Sequence, residues 1–228
     1  MSELKPSPPH LLGGNFLLAD TSPSEVFTPE DLSSDQRLMA ETAVKFMDKE
    51  VLPQLEALEQ QKDGLGPSLL RRAGALGLLC MEIPEEYGGL SLGKTSACGV
   101  EEQLSRLGGF GVTCGAHSGI GTQPLIYFGT EAQKRQYLPK LAAGEWIGAY
   151  ALSEAGSGSD ALGLRAKATL SADGKHYLLN GTKMWISNAG WADLFTIFAK
   201  VEGRQVTALL VERAFPGVST GKEEHKLG

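Results

Sequence analysis

Two short stretches of the chain combine residue types that make sense only around a ligand. The first runs Tyr150-Ala-Leu-Ser-Glu-Ala-Gly-Ser-Gly-Ser-Asp160. An alternating apolar run over residues 147–152 predicts a strand, which empties into five small residues, Ala155 to Ser159. With no bulky side chain in the way, backbone amides and hydroxyls there can approach a phosphate closely. The second stretch is Lys183-Met-Trp-Ile-Ser-Asn188. Its indole and hydroxyl, on Trp185 and Ser187, are two residues apart and so share one face of an extended strand. That pair suits a flat ring with a polar rim. The bland alternative is a flexible Gly-Ser turn and a core tryptophan.

Other chemistry-bearing residues read more simply. His10, His117, His176 and His225 are isolated, with neither metal-ligand spacing nor a partnered nucleophile, and are expected as surface or satisfied core residues. Ser153 has no Gly-x-Ser-x-Gly elbow around it. Gly119-Ile-Gly-Thr-Gln-Pro124 begins like a dinucleotide fingerprint but lacks the third glycine and a preceding strand. The acidic pairs Glu85-Glu86 and Glu101-Glu102 read as solvated faces.

The elements that must position these stretches change character midway. Residues 1–26 are rich in Pro, Ser and Gly and read as an irregular arm with an apolar patch at Phe16-Leu17-Leu18. Thr28-Pro29-Glu30-Asp31 has the marks of a helix start, and Ser33 with Gln36 offers a second. Met39, Ala43, Phe46, Met47, Val51, Leu55 and Leu58 then recur at helical spacing, with a bend expected at Pro53. Pro67 opens a further helix, the loop Pro84 to Gly89 should be surface, and a helix from about Lys94 to Leu107 should end at Gly108-Gly109. Gly111, Gly115 and Gly119 recur every fourth residue, which predicts a buried helix whose glycine face lets a neighbour approach. Thr130 and Gln133 form a capping box.

After Gly144 the period shortens. Runs over 147–152, 165–170, 176–180, 182–186, 194–200 and 205–211 are short, β-branched or aromatic, and parted by turn signals such as Asp173-Gly174 and Asn180-Gly181. The expected fold class is α+β: an arm over 1–26, an all-helical domain over 27–146 and an antiparallel, barrel-like β domain over 147–228.

Composition narrows the partners. In 228 residues, 42% are hydrophobic and 21% charged, ordinary values for a globular chain. A net charge of −6 and a pI near 5.3 argue against nucleic acid or an anionic membrane as the main partner. Cys80, Cys98 and Cys114 are odd in number and far apart, as expected of reduced thiols rather than a disulfide framework or zinc site. There is no run of the ~18 apolar residues that a membrane span needs. No signal pattern opens the chain and no arginine precedes Arg37, so the expected location is the bacterial cytoplasm.

The two chemistry-bearing stretches, in this order and with a short strand pair between them, resemble the flavin-binding signatures of the acyl-CoA dehydrogenases. Leu125 to Glu145, with Phe-Gly-Thr-Glu-Ala-Gln-Lys and then Tyr-Leu-Pro-Lys-Leu-Ala-Ala-Gly-Glu, is similar to the family's segment just ahead of the flavin motif. The resemblance covers roughly Phe27 to Gly228. It implies FAD, with Tyr150, Leu152 and Ser153 meeting the flavin ring and Ser153 donating to its pyrimidine edge. Gly158 and Ser159 would lie by the pyrophosphate, Ser159 also by the acyl-CoA. Trp185, Ile186 and Ser187 would flank the ring from the second stretch, the Ser187 hydroxyl near N5. Ser153 stands where the family usually has threonine, which keeps the hydroxyl, and Ala155 where it usually has proline, which loosens the turn.

The implied reaction is oxidation of a fatty acyl-CoA to the trans-2-enoyl-CoA, with electrons passed to an electron-transferring flavoprotein. Gly115-Ala-His117 with Ile120-Gly121, and Val211-Glu-Arg213, are most similar to the very-long-chain branch. A homodimer or homotetramer is implied for the full-length protein. Gly221 to Gly228 resembles a mid-domain stretch of the family, after which the β domain would continue into a C-terminal helical bundle carrying the catalytic base, so no catalytic residue is assigned within this chain. Two other readings share these residues: a flavin oxidase or monooxygenase on the same fold, which peroxide release would reveal, and a non-catalytic binding or assembly module.

Overall fold

A computed structural model describes residues 13–224; His10 and His225 lie outside the described residues. Seven α-helices, α1 (Ser34–Phe46), α2 (Leu55–Glu59), α3 (Leu65–Ala75), α4 (Gly93–Leu104), α5 (Gly108–Gly115), α6 (Gln123–Phe128) and α7 (Glu131–Ala142), precede five strands among the described residues. The strands are β1 (Gly148–Ala151), β2 (Lys167–Leu170), β3 (Tyr177–Asn180), β4 (Leu194–Val201) and β5 (Gln205–Glu212).

Local signals set the helix ends. Of the two starts near residue 30, the second opens α1: Ser33 accepts from the Gln36 amide at 3.2 Å and its own amide donates to Gln36 Oε1 at 2.8 Å. The first, Pro29–Asp31, forms only a 3₁₀ turn, its Asp31 carboxylate accepting from the Thr28 amide. The chain passes from α1 through a π turn over Met47–Val51 and a 3₁₀ turn at Pro53 into α2, so the proline falls at an interruption of the α-helical pattern. Thr130 and Gln133 cap α7 reciprocally, as their spacing predicts. Gly108 opens a new helix where the sequence suggested only a stop. The arm's Leu17 and Leu18 are exposed.

The glycine repeat holds at two of its three positions. A Cβ placed at Gly111 would meet Ser105 Cα at 2.7 Å and one at Gly115 would meet Glu101 Oε1 at 3.0 Å, so α5 lies directly on the end of α4. Nothing lies within 4 Å of the same point at Gly119, which belongs to a π turn over Ala116–Gly121.

The sheet is mixed, where antiparallel pairing was expected. β5 runs antiparallel to β4 along its length, from Leu194↔Glu212 to Val201↔Gln205, and β3 runs antiparallel to β2. The other edge of β4 is shared by two parallel partners, β1 at Leu194 to Ile197 and β2 at Lys200 and Val201. The strand order, β1-β4-β2-β3 with β5 on β4, leaves the sheet open, so no barrel closes among the described residues. The expected strand over 182–186 is absent.

One core joins the two halves. Phe46, Met47, Leu70, Leu104 and Phe110 from the helical half pack with Ile147, just ahead of β1, and with Ala149, Phe195 and Val211 from the sheet. His117 ties the same junction: its Nε2 donates to Leu141 O at 3.0 Å and its Nδ1 accepts from the Gly148 amide at 2.9 Å. It is a satisfied core histidine, and burial pushes its pKa down to about 4, so the ring is neutral.

Candidate functional site

The first stretch is an excursion from one edge of β4. After Ala151 the chain leaves that edge, and it returns at Ala166, whose carbonyl accepts from the Lys200 amide at 2.8 Å. Glu154 closes the neck of the excursion. Its carboxylate accepts from the amides of Arg165 at 2.6 Å and Ala166 at 3.0 Å, which tucks Glu154 inside and leaves Ala155, Gly156, Gly158 and Ser159 at the surface.

The second stretch is an arch, and this corrects the strand expected for it. Trp185 and Asn188 have φ of +57° and +67°, left-handed values that an extended strand does not contain and that side chains other than glycine rarely adopt. The arch is pinned at both ends. On one side Lys183 Nζ donates to Glu154 Oε1 at 2.8 Å and to Leu152 O at 2.9 Å, while the Met184 amide donates to Ser153 O. On the other, Asn188 Nδ2 donates to Thr113 O at 2.9 Å and Gly148 O at 3.3 Å, and the Arg213 guanidinium caps the carbonyls of Ala189 and Ala192. Between these anchors Ile186 packs against the core, whereas Trp185 and Ser187 are exposed. The strand alternation that would have put the indole and hydroxyl on one face is therefore absent, and both are exposed on a turn instead.

The two stretches are thus brought together, and Glu154 and Lys183, which hold them, went unassigned in the sequence reading. Burial would raise the Glu154 carboxyl, but hydrogen bonds from Lys183, Arg165 and Ala166, with the Lys183 charge, hold it below the ordinary value. Complementary charges 29 residues apart are the only sequence signal of this pair.

The expected site residues differ in exposure. Tyr150 is half-buried on β1, its ring 4.9 Å from that of Phe198, and Leu152 and Ser153 follow it, also half-buried. Among the described residues, no hydrogen bond within the protein uses the hydroxyls of Ser153, Ser159 or Ser187, and the amides of Gly158 and Ser159 donate to no protein acceptor. Trp185 is 61% exposed. Ser187 opens onto a groove of about 380 Å³ between α4 and α5, whose wall includes Ser105, Gly111, Val112, Gly115 and Ile120. Glu101 lines it as well. Its neighbour Glu102 is solvated, but Glu101 is half-buried, contrary to the reading of the pair as a solvated face, and burial raises its carboxyl to about 7.

A helical layer is packed on a mixed open sheet, with an amide-rich loop and an anchored tryptophan arch at one edge. The chain belongs to the acyl-CoA dehydrogenase family: the N-terminal domain of that family matches residues 33–145 and its middle domain residues 149–228. It is 48% identical to a "Probable acyl-CoA dehydrogenase" of Bacillus subtilis over 95% of this chain and 36% of the relative. The human very long-chain specific acyl-CoA dehydrogenase, mitochondrial, is 44% identical over 70% of this chain and 25% of its own length. The crystal structure of an acyl-CoA dehydrogenase complexed with FAD from Bacillus anthracis superposes with a TM-score of 0.90 at 51% identity, covering 94% of this chain and 37% of that one. The chain therefore spans little more than a third of the length of these two bacterial relatives.

Proposed function

We propose that this chain supplies the cofactor- and acyl-binding part of an FAD-dependent acyl-CoA dehydrogenase, its helical and β domains meeting near residue 146. The reaction is oxidation of a fatty acyl-CoA thioester to the trans-2-enoyl-CoA, the electrons leaving to an electron-transferring flavoprotein in fatty acid β-oxidation. The observation that carries this reading is the convergence of the two stretches, which the Glu154–Lys183 pair joins beside the apolar groove.

The residues present fit FAD. The excursion offers unclaimed amides at Gly158 and Ser159 beside an open glycine surface, since nothing lies within 4 Å of a Cβ built at Gly156 or Gly158. Such amides suit a pyrophosphate. Bound FAD would be held by Ser153 donating to the polar edge of the ring, with Tyr150, Leu152 and Ile186 as its seat. Trp185 would shield one side from water and Ser187 would orient the ring near N5. When bound, the flavin accepts the hydride.

The groove beside Ser187 takes the acyl chain. Val112 and Ile120, 60% and 52% exposed, are the apolar surface that an alkyl chain would cover. Removing the proton next to a thioester carbonyl needs a carboxylate base and hydrogen bonds that strengthen as charge develops on the carbonyl. No residue of this chain is assigned as that base. The intact protein, a cytoplasmic bacterial homodimer or homotetramer, should purify yellow and lose its visible flavin band when an acyl-CoA is added without oxygen. A correctly folded protein that contains no flavin and ignores added FAD contradicts the reading.

A further inference from the structure

The groove beside Ser187 is one of two cavities that meet at Glu101. A second chamber of about 270 Å³, itself partly open to the surface, shares Glu101 and Gly115 with it. The second chamber is mostly apolar, walled by Leu78, Met81, Ala97, Val100 and Ile126, with one polar side where Glu82 pairs with Lys94 at 2.7 Å and accepts from Gln123. The partition is thin because Gly115 has no side chain. A Cβ there would stand 3.0 Å from Glu101 Oε1, so the carboxyl lies against the α5 backbone and occupies the space between the cavities.

We propose that Glu101 is the gate that sets how far an acyl chain penetrates: its side chain closes the second chamber to short chains and must be passed by long ones. This rests on the reading of the groove as the acyl site. The physical reason is that no donor among the described residues holds the carboxyl in place, and an ionised carboxylate pressed against an alkyl chain loses its water without compensation. A neutral carboxyl can lie beside the chain at far lower cost.

The groups facing Glu101 do not change this balance. Cys114 on α5 remains a thiol, its pKa pushed well up by burial and by Glu101 itself, and His117 is neutral and committed to Leu141 and Gly148. In the second chamber Glu82 and Lys94 satisfy each other, and Cys98 is the remaining titratable group. From the π turn that follows α1, Asp48 is taken by Arg106. Since burial raises the Glu101 carboxyl to about 7, both its forms are populated near neutrality.

The test compares S-hexyl-CoA with S-hexadecyl-CoA binding to the intact protein by calorimetry. These thioethers lack the carbonyl and cannot be oxidised, so binding is read apart from turnover. The expected result is that S-hexadecyl-CoA affinity falls about tenfold between about pH 6 and about pH 8, as one coupled proton allows, while S-hexyl-CoA affinity changes much less. Glu101→Gln should remove the difference between the chains, and Glu101→Ala should tighten S-hexadecyl-CoA at every pH. If both ligands bind but wild type and Glu101→Gln share one pH profile, the gate is overturned. If neither binds a folded protein, the acyl-CoA reading falls and the gate with it.

Discussion

Lys183 Nζ sits 2.8 Å from Glu154 Oε1, with each side chain only 9% exposed, and this contact fastens the arch to the neck of the small-residue excursion. A charge pair so far from water is costly to break from one side, because the remaining partner is left buried and uncompensated. Glu154→Gln should therefore lower stability by about 2 kcal/mol, less than the loss of the whole side chain because the amide oxygen can still accept from Arg165, Ala166 and Lys183. Lys183→Met should cost a similar amount. Chemical denaturation of both single variants and the double variant checks this, and strong non-additivity is the expected outcome.

His117 gives the fold a pH dependence whose sign follows from its hydrogen bonds. Nδ1 accepts from the Gly148 amide, so a proton there would set two donors face to face. Burial holds the folded pKa near 4 against an ordinary 6.5, so between those values the unfolded chain binds more protons than the folded one. Stability from this group is complete above about pH 6.5 and declines as pH falls towards about pH 4, by ~3 kcal/mol in all. His117→Gln should show a shallower loss over that window in thermal melts. Equal slopes for the two proteins would count against the assignment.

Much of the framework was legible because its signals are local. The capping boxes at Ser33 and Thr130, the helix interruption at Pro53 and the change of period after Gly144 each act within a turn or a strand. What escaped is non-local. The parallel pairing of β1 and β2 along one edge of β4 depends on a chain reversal that no short window contains. The arch was mistaken for a strand because Trp185 and Ser187 have the spacing of strand alternation, while the left-handed turn that exposes them is imposed by Lys183 and Asn188 at its ends. Glu101 read as a solvated acid because the close approach of α5 at Gly115 cannot be seen from α4 alone.

Ser187, exposed beside the groove, should matter for rate more than for fold. If its hydroxyl donates to the flavin near N5, Ser187→Ala removes an ordinary hydrogen bond of about 0.5–1.5 kcal/mol and slows flavin reduction several-fold. Ser171→Ala serves as control, since its hydroxyl bonds Asp173 in the turn between β2 and β3. Stopped-flow traces of the intact protein should separate the two variants; traces matching wild type for both would remove Ser187 from the ring.

Flavin binding by the apoprotein tests the central claim most directly. Titrating FAD into the intact apoprotein and following quenching of flavin fluorescence should give saturable binding near one FAD per chain. Trp185→Ala should weaken that binding while leaving the far-ultraviolet dichroism unchanged, because the indole is 61% exposed and outside the core. An apoprotein with native dichroism whose addition leaves FAD fluorescence unaltered would contradict the joining of these two stretches into a flavin site.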